Sequence, residues 1–362
     1  MPKAKQYILG IEPYKPGKSN ISDKNKVIKL SSNENALGTS PKAIIAYQEH
    51  INKIHLYADG NCGELKKSIA QKYQIDADKI VCGAGSDEII ALFTHSFCDV
   101  GDEVLYSEYG FLMYPISAQR VGATPIAAKE TIGETNLVAN VDNILAQISN
   151  KTKIIFLANP NNPTGSYLKN IEIERLIKNT PGNILIVLDL AYCEFVDNVD
   201  YPDVIKLVSQ YENVVMIRTF SKIYGLASLR LGWSYSSLYI ADVLNRARGP
   251  FNVSGVAQSA GIAAINDDEF IQQSKYHNQK WLKILTTKFD EIGIKYYPSC
   301  TNFILLNFIT IEKCQKINQF LLDNGVIFRE MSAYHLPHCL RMTIGKEKDN
   351  LQVIELLKKI WS

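Results

Sequence analysis

Thr219-Phe220-Ser221-Lys222-Ile223-Tyr224-Gly225-Leu226-Ala227-Ser228-Leu229-Arg230-Leu231-Gly232-Trp233 comes just after the apolar run Val214, Val215, Met216, Ile217. That run reads as a buried strand, which places Ser221 and Lys222 past its carboxyl end, where open α/β sheets hold their ligands. Lys222 stands between the apolar Phe220 and Ile223, and an amine desolvated by such neighbours is the kind of nucleophile that condenses with a carbonyl. Further on, Arg230 offers a planar fork for a phosphate and Ser221 a hydroxyl for the same group. Together they read as a lysine that binds a phosphorylated aldehyde covalently. A lysine after a strand is by itself an ordinary surface residue, so this reading depends on what the rest of the chain brings to the same place.

Working outward, other buried runs also end in polar groups. Lys153 to Ala158 leads into Asn159-Pro160-Asn161-Asn162-Pro163-Thr164-Gly165, a turn that no helix or strand could continue through. Ile184 to Leu188 ends in Asp189, followed by Leu190-Ala191-Tyr192, and Glu103 to Tyr106 leads to the aromatic cluster Tyr109, Phe111 and Tyr114. Lys79 to Cys82 turns through Gly83-Ala84-Gly85-Ser86-Asp87 into a helix, with Ser86 as the expected N-cap and its free amides as an anion site. Glu88 stands where a dinucleotide fingerprint would need its third glycine. Continuous apolar runs separated by helical stretches such as Ile171 to Lys178 and Val204 to Gln210 describe a mainly parallel sheet buried on both faces. Asn162, Asp189 and Lys222 then share one crevice at the strand ends.

The flanks differ from this pattern. Residues 1–40 read as an extended arm with a short strand at Val27 to Leu30, and Pro41 opens the first long helix. Past residue 250 come helices Ser254 to Ile265 and Asp268 to Ile292, then strands at Asn302 to Asn307, Val326 to Arg329 and Leu340 to Ile344, and a terminal helix Asn350 to Trp361. This is α+β patterning with its own core. We therefore expect a large unit over residues 41–250 and a smaller one from 251–362 together with the arm, 1–40. In the Leu340 to Ile344 strand, alternation puts Arg341 and Thr343 on the face opposite Met342 and Ile344.

The 362 residues, 46% hydrophobic, suffice for a large core. A net charge of +2 gives no reason to expect nucleic acid or an acidic membrane as partner. The seven cysteines are scattered and never spaced as CxxC, the pattern of reduced thiols in a cytoplasmic protein. There is no apolar segment resembling a signal peptide, and no run approaches the roughly 18 residues of a membrane span. His335, His338 and Cys339 are interrupted by Pro337 and lack a carboxylate nearby, so no metal is expected.

SKIYGLASLRLGW, with the preceding DLAYCEF, NPNNPTG, GAGSDE, SSNENALG and PYKPGK, resembles the fold-type I, pyridoxal-phosphate-dependent aminotransferases, in their histidinol-phosphate aminotransferase group. The likeness runs from Tyr14 to Gly345, with the motifs in family order. The resemblance implies an α/β fold and a pyridoxal 5'-phosphate cofactor held covalently by Lys222, which also moves the substrate proton. It implies that Asp189 keeps the pyridine nitrogen protonated and that Tyr192 and Asn162 bond the ring oxygen. Gly85, Ser86, Asp87, Ser221 and Arg230 would meet the phosphate. Phe111 would stack on the ring, with Tyr109 as runner-up, and Tyr57 would reach the phosphate of the neighbouring subunit in a homodimer. Tyr14, Asn35, Arg329 and Arg341 match residues used for the substrate. Where the family usually has DEAY, Leu190 replaces the glutamate; its side chain should point away from the pyridine and alter packing more than chemistry.

The activity implied is transfer of an amino group between histidinol phosphate and 2-oxoglutarate, two small molecules. Aromatic amino acids are plausible further donors in this group, and a threonine-phosphate decarboxylase is a related alternative that would release carbon dioxide. A cofactor-sensing transcription regulator would carry a DNA-binding segment ahead of these motifs, which already begin at Tyr14.

Overall fold

The computed structural model describes residues 2–21, 27–133 and 136–361. Among these, seven strands form the main sheet in the order Ile80–Gly83, Gly232–Tyr235, Val214–Thr219, Leu185–Asp189, Thr152–Ala158, Glu103–Ser107, Thr124–Ala128. The last five run parallel to one another. Gly232–Tyr235 is antiparallel to both its neighbours.

Alternation within each parallel strand explains the unbroken apolar runs. Ile186, Leu188, Val214, Met216, Ile155 and Leu157 enter the core on one face. Their chain neighbours Leu185, Val187, Val215, Ile217, Ile154 and Phe156 enter the core on the other. With helices covering both faces, neither side can be polar, and polar groups collect where strands end.

A second, antiparallel sheet runs Lys295–Tyr297, Phe303–Asn307, Cys339–Thr343, Arg329–Glu330. Leu306, Leu340, Met342 and Ile344 bury against Trp281, Leu285 and Phe289 of the helix Asp268–Ile292 and against Val353 and Leu357 of the terminal helix Glu347–Trp361. Leu30 joins that core, and the short strand Ile28–Lys29 pairs with Val326–Ile327, which fixes the arm to this sheet. The helix Gly255–Ile265, expected with the smaller unit, instead packs on Pro41–His50 and Gly63–Tyr73 and buries Ala257, Ala260, Ala264 and Ile265 in the main core. Its small residues allow that close approach, and within Asp268–Ile292 it is the residues from Trp281 onward that join the core of the small sheet. The opposite face of the small sheet packs on segments outside the main sheet: Leu305 and Cys339 cluster with Tyr109, in the turn after Glu103–Ser107, and with Leu137.

All seven cysteines are free. Among the described residues no helix is long and apolar enough to cross a membrane.

Candidate active site

The strand ends open into a cavity of about 240 Å³ lined by Ser86, Asp87, Phe111, Asn162, Asp189, Tyr192, Ser221, Lys222 and Arg230, joined by Ser32, Glu34 and Tyr114. Lys222 leaves the end of Val214–Thr219 with its Nζ 5.5 Å from the centre of the Tyr192 ring. Phe220 and Ile223, on either side, are fully buried and anchor the turn. The turn closes through the Gly225 amide on the Lys222 carbonyl at 3.0 Å. Gly225 has φ +69°, and a Cβ there would lie 2.0 Å from the Gly38 carbonyl oxygen, so only glycine lets the arm press on the lysine turn.

Asn35, expected at the substrate, serves that same junction. Its Nδ2 donates to the Ile223 carbonyl at 2.7 Å and to the Ser274 hydroxyl at 3.0 Å, while its Oδ1 accepts from the Leu37 amide at 2.9 Å. It stands outside the cavity; Ser32 and Glu34, its neighbours in the motif, line it.

Asp189 is buried at the cavity floor, where Tyr114 Oη donates to its Oδ2 at 2.9 Å and the Ala191 amide to its Oδ1 at 3.2 Å. Burial pushes the carboxyl up to about 6, while these two donors and nearby Lys222 pull the other way. Tyr114 is itself locked by stacking on Phe156, with ring centres 4.9 Å apart, and Phe111 meets it edge-on at 5.9 Å. Phe111 reaches the cavity, whereas Tyr109 is buried with Tyr297, Met331 and Tyr334 and does not line it. Leu190 lies in the main core, away from the lining.

At the phosphate end the helix begins at Ser86, not after it. The N-cap is Gly85, at φ +82°. A Cβ on Gly85 would come within 2.4 Å of Arg230 Nη2, so the glycine makes room for the guanidinium. Arg230 donates to Ser221 Oγ at 3.3 Å and to Asp87 Oδ2 at 3.2 Å. Two donors and a helix start thus converge in one corner of the cavity.

Tyr192 Oη accepts from Asn33 Nδ2 at 2.8 Å, and Asn33 Oδ1 accepts from the Thr343 hydroxyl at 3.2 Å. This chain ties the small sheet to the cavity wall. Arg341, beside Thr343, donates to Asn162 Oδ1 and, at 3.1 Å, to the Ser31 carbonyl. Its guanidinium lies 5.1 Å from the Phe303 ring centre, and burial holds its pKa below the ordinary range. Arg329 sits directly across the strand pair from Arg341. Arg329 donates to the Lys15 carbonyl at 2.8 Å and lies 5.8 Å from the Tyr14 ring centre. Both arginines are buried, and among the described residues neither has a carboxylate partner. Tyr57 is 86% exposed and stacks on Phe251, outside the cavity of its own chain.

Residues 25–357 match the model of the family described as aminotransferase class I and II. The chain belongs to the class I and II aminotransferases. This aminotransferase is 46% identical over 360 residues to a histidinol-phosphate aminotransferase from Paramagnetospirillum magneticum, covering 99% of this chain and 98% of the relative. It is 44% identical to another from Rhodopseudomonas palustris, covering 97% and 96%. The crystal structure of histidinol-phosphate aminotransferase from Sinorhizobium meliloti in complex with pyridoxal 5'-phosphate superposes with a TM-score of 0.85 at 23% identity, covering 93% of this chain and 91% of that one. At that identity the likeness speaks for the fold.

The donor set of this aminotransferase fits pyridoxal phosphate. Arg230, Ser221 and the start of the Ser86 helix suit a phosphate, Asp189 a ring nitrogen, Lys222 an aldehyde, Tyr192 and Asn162 a ring oxygen, and Phe111 a ring face. The sequence points to Tyr114, Arg329 and Arg341, but not to the contact of Tyr114 with Asp189, that of Asn33 with Tyr192, or the facing of Arg329 with Arg341 across the strand pair. Only the strand register and side-chain directions bring them to the site, although the aromatic spacing from Phe111 to Tyr114 was a partial signal.

Proposed function

We propose that the protein transfers an amino group between histidinol phosphate and 2-oxoglutarate, as a pyridoxal-phosphate-dependent homodimer in the cytoplasm. The observation that carries this reading is the pair of buried arginines, Arg341 and Arg329, matched across antiparallel strands without a counter-carboxylate. Such a pair attracts an anion, and one planar fork can grip either a phosphate or a carboxylate. The high identity to histidinol-phosphate aminotransferases over nearly the whole chain supports the donor.

When bound, the cofactor supplies an aldehyde that takes up the amino group and a protonated ring that draws electron density from the substrate carbon. Lys222 Nζ holds the cofactor until substrate arrives, and then moves a proton at the substrate carbon. The Asp189 carboxylate holds the proton on the ring nitrogen, and Tyr114 Oη and the Ala191 amide keep that carboxylate oriented. Because Tyr192 Oη already accepts from Asn33, its own hydrogen is free to donate to the ring oxygen. Arg341 clamps the substrate anion, and its bond to Asn162 joins the substrate clamp to the ring contacts.

The homodimer is supported by the exposed apolar side chains Ile45, Ile51, Ile54 and Leu56, which lead to Tyr57. Exposed apolar side chains of this kind, running from the helix Pro41–His50 into the segment that follows it, are suited to a second copy, from which Tyr57 would reach the partner's phosphate site. The two cores support a large cofactor-binding unit and a smaller one with the arm, whose Ser32 and Glu34 reach the cavity. A panel of amino donors assayed with 2-oxoglutarate tests the proposal: histidinol phosphate should give the highest kcat/KM with one glutamate formed per donor consumed. Carbon dioxide release without glutamate, or preference for an unphosphorylated donor, would overturn it.

A further inference from the structure

Behind the cavity wall lies a buried carboxyl that the chemistry above leaves without a task. Glu130 follows the edge strand Thr124–Ala128 and is 5% exposed. Its Oε1 accepts from the Tyr109 amide at 3.2 Å and from Asn161 Nδ2 at 3.5 Å. The same Asn161 amide group reaches the Tyr109 carbonyl at 3.3 Å and Thr164 Oγ1 at 3.0 Å. Two turns are thereby fastened together. One leads from Ser107 to Phe111, and the other carries Asn161 and Asn162; Phe111 and Asn162 both line the cavity.

The polar inventory of this junction is unbalanced. Glu130 Oε2 and Asn161 Oδ1 are both buried without a hydrogen-bond partner. An ionised carboxylate only accepts, so ionisation would put a buried charge here, with the Ser107 hydroxyl and the Tyr109 and Asn161 amides as its donors, beside an Asn161 Oδ1 that has none. From the 107–111 turn the ionisable neighbours are Glu108, which is acidic, and Tyr109; Ser107 offers a hydroxyl, and the 159–165 turn offers the neutral Asn161 and Thr164. No cationic side chain pairs with Glu130 among the described residues.

We propose that Glu130 is a positioning residue which, as a neutral carboxylic acid, clamps the two turns and so fixes Phe111 and Asn162 at the cavity. A proton on the carboxyl turns one bare acceptor into a donor, in a junction whose contacting side chain has an acceptor to spare. Burial, with the Glu108 charge acting in the same direction, pushes the Glu130 carboxyl up to about 7, against the Ser107 hydroxyl and the Tyr109 amide. A carboxyl whose folded pKa is raised contributes stability that is fully present below the ordinary carboxylate range and is lost as pH rises through its folded value. The clamp should therefore loosen above neutral pH. Its consequence for turnover rests on the aminotransferase reading of the cavity; the protonation state of Glu130 does not.

The test compares wild type, Glu130→Gln and Glu130→Ala. Melting of the cofactor-free proteins from about pH 5 to about pH 9 should show stability falling as pH rises toward about 7 and levelling off above it in the wild type, a fall absent in Glu130→Gln, whose amide keeps a donor at every pH. In the holoenzyme Glu130→Gln should retain kcat and the KM for 2-oxoglutarate with a flatter alkaline limb. Glu130→Ala should lose on the order of 10- to 100-fold in kcat/KM, the scale of a small misplacement of reacting groups. If Glu130→Gln melts with the wild-type pH dependence, the neutral clamp is refuted. If Glu130→Ala turns over like Glu130→Gln, the carboxyl positions nothing. Should the alanine variant fail to fold, the melting comparison with glutamine still decides. Wild type without transaminase activity would strike the functional reading alone, leaving the melting test valid.

Discussion

Arg341→Ala removes a buried cation that no carboxylate neutralises, and its cost can be worked from its surroundings. The guanidinium is 5% exposed and, through two donors, holds only the Ser31 carbonyl and Asn162 Oδ1, both neutral. An anionic substrate would be its first full counter-charge. Deleting one side of a buried charge-assisted contact costs about 2 to 5 kcal/mol, which is roughly 30-fold to several thousand-fold in kcat/KM. Stability should change less. The two carbonyl oxygens left without donors cost roughly 1–3 kcal/mol each, and removing an unpaired buried charge offsets part of that loss. Stopped-flow measurement of each half-reaction should show both slowed, since a phosphate and a carboxylate use the same fork, while the purified variant stays yellow. Arg341→Lys keeps the charge but not the fork and should recover only part of the loss. Arg329→Ala and Tyr14→Phe should weigh more on the phosphorylated amine than on 2-oxoglutarate. Unchanged single-turnover rates for both half-reactions in Arg341→Ala would place the substrate elsewhere and refute this reasoning.

Other outcomes follow from the same geometry. The Asp189 carboxyl, pushed up to about 6 in the cofactor-free protein, is neutral below that value and ionised above it. Only the ionised form holds a protonated ring nitrogen, so cofactor affinity should rise with pH through about 6 and then level off. Asp189→Asn should abolish that step in a fluorescence titration and slow turnover by roughly 10²-fold or more; near-normal turnover would make Asp189 a structural cap. Mixing Tyr57→Phe with Lys222→Ala chains should yield hybrid dimers with one intact site and partial activity, whereas a fully active monomer in sedimentation would exclude the role of Tyr57 in trans.

The strand ends were legible because parallel strands covered on both faces must be apolar throughout, so each polar break stood out. Asn162, Asp189 and Lys222 were found this way, and the cavity unites them. Other elements were hidden for local reasons. Gly232–Tyr235 begins at the end of the lysine motif, where no strand is read, and its insertion between Ile80–Gly83 and Val214–Thr219 depends on pairing that has no sequence period. Thr124–Ala128 is an edge strand with Pro125 and small alanines, too weak a pattern to mark a strand. Gly85 caps the helix in place of Ser86, and Arg230, distant in sequence, occupies the space a Cβ there would need. Asn35 sits in the right motif, yet its amide turns to Ile223 and Ser274, a direction that spacing does not encode. The bond from Tyr114 to Asp189 and the facing of Arg329 with Arg341 likewise exist only once distant strands are in register.

The most direct test of the chemistry is where the cofactor attaches. Purified protein should be yellow, and borohydride reduction followed by peptide mass mapping should find the reduced pyridoxyl group on Lys222 and on no other lysine. Lys222→Ala should bind the cofactor without trapping it and lose turnover by several orders of magnitude, on the scale of a deleted nucleophile. A pyridoxyl group mapped to another lysine, or undiminished turnover in Lys222→Ala, would contradict the assignment of Lys222.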